Sequence, residues 1–283
     1  MRTDTVRIRT QSVDQRPTGS KIHSQRLVSR PATGSSSAGR YCGGILSKEF
    51  VWMKATPDAQ TLAIFPLQNV VLFPSTELPL YIFEPRYRAM THAALQGTRR
   101  IGMVAIRPEA LGETAGNPPV FAVGCEGEIL RARERSDGTL DILLGATRRF
   151  KITAELPASE VRPFRTARIE PLEEERLLRD SPEIAQLRKK VVRTLGEILR
   201  QIGPKENLEL NREESAALKQ LEALTDEKFA HVTAQLIDLG VREKQRLLEA
   251  PGAGARYPML DEFLRFRLGE LKARIAPGSN TLH

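Results

Sequence analysis

Apolar residues in this chain change their spacing once, near residue 172. Before that point they gather in short runs: Leu62–Phe65, Val70–Phe73, Leu78–Phe83, Arg100–Ile106, Phe121–Arg133, Leu140–Ile152 and Phe164–Leu172. Short apolar runs closed by breakers such as Pro66 and Pro74 predict strands. Ser136-Asp137-Gly138-Thr139 separates two of them. Asp-Gly accepts the left-handed backbone angles of a tight turn, so these two runs are expected to form a hairpin. Leu140–Ile152 is long enough to read as two strands. One helix interrupts the β region, from Pro85 to Gln96. Pro85 suits a first helical turn, where its missing N–H is no loss. Tyr87, Met90 and Ala94 share one face, and Gly97 stops the helix. Closely spaced strands with one inserted helix predict a small bent sheet or closed barrel.

After residue 172 the spacing becomes helical. Ser181-Pro182-Glu183 reads as an N-cap, a proline at the first position and a first-turn acid. Ile184, Leu187, Val191, Leu195, Ile198 and Ile202 then mark one stripe, ended by Gly203-Pro204. Asn211 caps a second helix with Leu218, Leu221 and Leu224. Thr225-Asp226-Glu227 opens a third with Phe229, Val232, Leu236 and Leu239, stopped at Gly240. A fourth covers Arg242–Glu249, Pro251-Gly252-Ala253-Gly254 breaks the pattern, and a last helix holds Leu260, Phe263, Leu264, Leu268 and Leu271. Amphipathic helices of this kind need neighbours, so a bundle is expected.

Charge changes the picture at the amino terminus. Residues 1–57 hold ten Lys and Arg but three acids, +7 of the chain's formal +8. This stretch is Ser-, Thr-, Arg- and Gly-rich, and its low apolar content predicts a disordered basic extension. Met53 offers an alternative start within ten residues of the first strand. The nearly neutral remainder argues against a duplex-binding domain, which concentrates positive charge. No apolar run is long enough to span a bilayer. Cys42 and Cys125 stand in unrelated contexts and suggest neither a disulfide framework nor a metal site, which favours a cytoplasmic setting.

One string is more specific. Leu62-Ala63-Ile64-Phe65-Pro66-Leu67-Gln68-Asn69-Val70-Val71-Leu72-Phe73-Pro74 leads into Leu78-Pro79-Leu80-Tyr81-Ile82-Phe83-Glu84-Pro85-Arg86-Tyr87-Arg88. It resembles the opening of the Lon N-terminal (substrate-binding) domain family. Arg100–Val104, Val123-Gly124-Cys125-Glu126-Gly127-Glu128-Ile129, Ile142-Leu143-Leu144-Gly145 and Arg148-Arg149-Phe150 are similar to later family elements in the same order. Lys244-Gln245-Arg246-Leu247-Leu248-Glu249 resembles another in the helical part. The resemblance implies an α+β fold: a six-stranded PUA-like β pseudo-barrel with one inserted helix, followed by a C-terminal helical bundle. The expected division is 1–57 extension, 58–172 β domain, 173–276 bundle and 277–283 tail. It also implies capture of unfolded or tagged protein for an attached AAA+ protease. No Gly-x-x-x-x-Gly-Lys-Ser/Thr loop occurs, and residues after 276 are too few for an ATPase or protease domain. A stand-alone form is expected.

Individual residues carry further expectations. Phe65, Phe73 and Phe83 are expected to fill the barrel. Glu84 should stabilise the start of the helix dipole. Glu84, Arg86, Arg88 and Leu111 are the candidate peptide-contact residues: the arginines as donors to client carboxylates or carbonyls, Leu111 from the long loop Pro108–Pro119. His92 and His231 read as surface or boundary residues, Cys125 as a small buried thiol, Glu173-Glu174-Glu175-Arg176 as a solvated helix entry, and Arg188-Lys189-Lys190 as a polar helix side. No catalytic set, metal site or cofactor loop is apparent. The reading is a non-enzymatic, cytoplasmic protein-binding module in quality control or proteolysis. Its partners would be client proteins and a separate AAA+ protease, with neither nucleic acid nor membrane. The alternative is a PUA-like RNA-binding protein.

Overall fold

Asp137 accepts hydrogen bonds on Oδ1 from both the N–H and the hydroxyl of Thr139, and Gly138 takes φ 75°. This turn joins the two longest strands. The computed structural model describes residues 60–110, 117–156, 158–175, 181–202, 216 and 218–275. Their elements in order are β1 Gln60–Leu67, β2 Glu77–Ile82, α1 Pro85–Gln96, β3 Arg100–Ala105, β4 Val123–Glu134, β5 Leu140–Leu156 and β6 Thr166–Pro171. The helices α2 Pro182–Ile202, α3 Asp226–Leu236, α4 Val241–Glu249 and α5 Ala253–Ile275 follow. Residues 218–222 are also helical. The candidate extension 1–57, Leu111, the Asn211 cap and the tail 277–283 lie outside the described residues.

The six strands form one sheet that curls into a partial barrel. β5 pairs with β4 along one side. Along its other side it pairs first with β2 and then with β6. β6 pairs with β1, β1 runs parallel to β3, and β3 returns to β4, so five strands close a ring. β2 extends from it as a wing. Leu140–Ile152, expected to hold two strands, belongs to one continuous strand of 17 residues. Bulges give it the bend that two strands would have supplied: Ala146 faces Gly127 while Arg148 faces Glu126, leaving Thr147 as an extra residue. Leu130 is the extra residue on β4.

The wing has a blunt outer edge. Ala146 donates to the Thr76 carbonyl, so hydrogen-bonded pairs fall at every second residue from there, and Pro79 opposite Leu143 falls between them. The missing N–H of Pro79 is therefore on the open side of β2.

Val70–Phe73 is not a strand. Asn69 adopts φ 57°, which turns the chain out of β1. The segment then bridges two cores. Leu72 packs in the barrel, with Phe65, Met90 and Ile142. Val71 and Phe73 pack in the bundle, with Phe229, Tyr257 and Leu264. The Phe73 N–H is satisfied by Gln235 Oε1 of α3 at 3.2 Å. Of the three phenylalanines expected in the barrel, only Phe65 is there. Phe73 fills the bundle, and Phe83 is half-buried with its ring 5.9 Å from that of Tyr81.

The expected helices other than the one capped by Asn211 are present with shifted ends. α1 buries Tyr87, Met90, Thr91 and Ala94. α3 ends at Leu236, so Leu239 lies past it. The Gly252–Gly254 break proves to be the start of α5, which carries Pro258 inside its second turn. Phe73→Ala should cost about 3–5 kcal/mol, the loss of a fully buried aromatic. Phe83→Ala should cost less than half of that. Urea midpoints of the two variants would check the ranking.

Candidate functional site

The start of α1 gathers two of the four residues singled out from the sequence. Glu84 is the N-cap residue rather than a first-turn residue, with extended angles. Its carboxylate makes no cap hydrogen bond and instead accepts from Arg86 Nε at 2.9 Å. The Arg86 guanidinium lies 4.6 Å from the centre of the Tyr87 ring and stays 42% exposed. Arg88 departs from this pair. It runs to the hairpin turn, where its guanidinium occupies the space a side chain on Gly138 would need. At the base of the long loop, Arg107 N–H donates to Pro119 O at 3.0 Å, and Glu109 pairs with Arg242 of α4.

The charged centre of the molecule lies elsewhere, at the seam between barrel and bundle. Arg149 of β5 and Arg256 of α5 are 2% and 0% exposed. Glu174, in the link between β6 and α2, holds both. Its Oε1 accepts from Arg149 Nε at 2.7 Å and its Oε2 from Arg256 Nη1 at 2.7 Å. Arg149 Nη2 reaches the carbonyls of Glu173 and Pro251, and other donors close on the end of α4. Arg149 Nη1 donates to the carbonyls of Leu248 and Ala250, and Arg256 to those of Leu247 and Ala250. These are carbonyls that a helix leaves unpaired, at its negative end. Gln245 of the same helix donates to Val123 O of β4 at 2.9 Å.

Glu174 is no solvated helix entry. Burial raises its carboxyl pKa, but the nearby His231 ring and Arg256, then the charge of Arg149, outweigh that and hold it at about 2. His231 is no surface residue: it is 2% exposed, with Nε2 3.4 Å from Glu174 Oε1. Burial, seconded by the two arginines, lowers its pKa. Arg188 is also more than a polar flank. It pairs with Asp226 at 2.9 Å, donates to Leu224 O and covers the Phe229 ring. One signal for the seam was present in the sequence. Adjacent residues of a strand face opposite ways, so of Arg148 and Arg149 one had to point inward. Cys125 is buried as expected, and burial pushes its thiol pKa up.

On the bundle's far side a groove of about 840 Å³ lies open among the described residues. Leu195 and Ile198 of α2, Leu221, Leu236, Ile237 and Leu271 of α5 line it. Leu236 is 70% exposed, which is unusual for a leucine beside an apolar cleft. Charges at its margin are matched within the chain: Arg267 pairs with both Asp238 and Glu270. Among the described residues no group of three or more His, Cys, Asp and Glu side chains is placed to hold a metal, and no helix is long and apolar enough to cross a membrane.

A partial barrel with a single inserted helix, locked to a helical bundle, is the architecture of a Lon amino-terminal domain. The N-terminal domain of Mycobacterium avium complex Lon protease shares the fold, with a TM-score of 0.56 at 16% identity over 73% of this chain and 98% of that one. Residues 61–265 match the family of the ATP-dependent protease La (LON) substrate-binding domain, and the chain belongs to that family. Relatives include Lon protease of Cytophaga hutchinsonii, 28% identical over 69% of this chain, and Lon protease 2 of Syntrophobacter fumaroxidans, 30% identical over 51%. The matches span 23% and 17% of those proteins' lengths.

Glu174→Gln should destabilise the fold by about 3–5 kcal/mol, because two buried guanidiniums lose their counter-charge. The pH dependence has a sign. Glu174 is held below its ordinary 4.5, so its contribution is full above that pH and fades as pH falls toward 2. Neutral His231 adds a second loss, beginning as pH falls through its ordinary 6.5. Thermal unfolding from pH 8 to 3 should show both losses, with the lower one absent in Glu174→Gln.

Proposed function

We propose that this chain is a non-enzymatic binding module for unfolded or client polypeptides. The open groove of the bundle is the observation that carries this reading. Its wall is built of flexible aliphatic side chains, and Arg267, Asp238 and Glu270 at its margin neutralise one another. Such a surface selects by apolar burial, at ~25 cal/mol per Å², and accepts many sequences. That is the tolerance needed to recognise chains by their lack of fold. Membership of the substrate-binding family supports the same reading.

The barrel then serves as the rigid support, with the α1 start as a secondary contact. Arg86 is exposed enough to reach client carboxylates or carbonyls from its pairing with Glu84. Arg88 serves the hairpin turn first, and Leu111 would add an apolar contact from the long loop. The biological setting proposed is cytoplasmic protein quality control, with clients handed to a separate AAA+ protease or held without delivery.

A permanently unfolded polypeptide labelled for anisotropy tests the reading on the full chain. Leu236→Asp should weaken its binding by roughly tenfold, a little over 1 kcal/mol, because a charge replaces an apolar contact. The melting temperature should stay within a degree or two, since Leu236 is exposed. Unchanged affinity in this variant would remove the groove from the mechanism.

A further inference from the structure

The wing of the barrel carries a second surface, unlike the groove in character. Leu78, Leu80, Ile82, Ile142 and Leu144 of β2 and β5 point inward and are buried. By strand alternation their neighbours share the outer face. The register sets these in rows: Glu77, Gly145 and Glu128; then Pro79, Leu143 and Arg131; then Tyr81, Asp141 and Arg133. The β4 bulge adds Leu130 to the same face. Its side chain lies over Gly145, where a Cβ would come within 2.7 Å of Leu130 Cδ1, and it remains 46% exposed.

The face is therefore graded. Glu77 and Glu128 stand at one margin, Pro79, Leu143, Leu130 and Arg131 in the middle, and Arg133 and Arg135 at the other margin. Arg135 is occupied: it grips Asp141 through two hydrogen bonds of 2.8 Å and lies 4.8 Å from the centre of the Tyr81 ring. Arg131 and Arg133 are exposed and make no hydrogen bond or ion pair among the described residues. Two exposed guanidiniums with no ion pair among the described residues, beside exposed aliphatic carbon, suit an anionic partner that also has apolar groups.

We infer that this outer face docks polypeptide segments in which apolar residues stand next to acidic ones. Charge complementarity to Arg131 and Arg133 selects the acids, and Leu130, Leu143 and Pro79 take the apolar side chains. Nucleic acid fits less well. The Tyr81 ring is covered by Arg135, Phe83 leans on Tyr81, and the acids of the opposite margin would face phosphate. Addition of a strand to β2 is also disfavoured, because Pro79 offers no N–H at that edge. The inference rests on the reading of the chain as a polypeptide-binding module and adds a chemical class of client at a different surface.

Two labelled unstructured peptides test it on the full chain, one with leucines flanked by glutamates and one with the same leucines flanked by lysines. The acidic peptide should bind about fivefold more tightly, as two exposed ion pairs allow, and added salt should shrink that margin. Arg131→Glu with Arg133→Glu should abolish or invert the preference, while Leu236→Asp should leave it in place. Equal binding of the two peptides by wild type overturns the inference and leaves the groove's role standing. Arginine-dependent binding of a single-stranded oligonucleotide in place of peptide also overturns it. Failure of both peptides and of the unfolded polypeptide removes the module reading itself.

Discussion

Glu174 sits between two guanidiniums that water does not reach. Bringing Arg149 and Arg256 out of water costs several kcal/mol each, and one carboxylate neutralises only one of the two charges. The other is spread over the carbonyls at the end of α4. The arrangement works only if a β5 residue, the link after β6, the end of α4 and the start of α5 meet at one point. Barrel and bundle thereby take one relative placement. An apolar seam would tolerate small slides, whereas these charges lose most of their compensation if the elements shift.

Much of the fold was legible from residue spacing because the relevant interactions are local. The Asp137-Gly138 turn, the α1 stripe of Tyr87, Met90 and Ala94, and the proline starts of α1 and α2 are set by neighbours within a few positions. Apart from helix ends misplaced by a few residues, the errors fall where a distant contact decides. Val70–Phe73 has strand composition, yet its side chains are shared between two cores and its backbone is satisfied by Gln235, 162 residues away. β5 reads as two strands because nothing local reveals that bulges at Thr147 and Leu130 let one strand bend through. Glu174 looks like its neighbours Glu173 and Glu175, and only the arrival of Arg149 and Arg256 distinguishes it. Of the candidate contact residues, the Glu84–Arg86 pair is short-range. The path of Arg88 to Gly138 depends on where the hairpin lands.

The two surfaces proposed for binding divide the work by physics. The groove's margin is internally neutralised, so its contacts are made by carbon. The wing leaves Arg131 and Arg133 without partners among the described residues, so contacts there would be steered by charge and weaken in salt. Both are borne on elements fixed by the seam, which sets their separation. A segment long enough to reach from one to the other would gain from the second contact without a second encounter in solution.

Pro79 has one more effect. A sheet with an exposed border invites other chains to stack onto it in register. Without a donor midway along that border, incoming backbone finds a gap where a hydrogen bond should form. The edge of β2 is thus a poor template for strand-by-strand stacking of other chains, this one's own copies included.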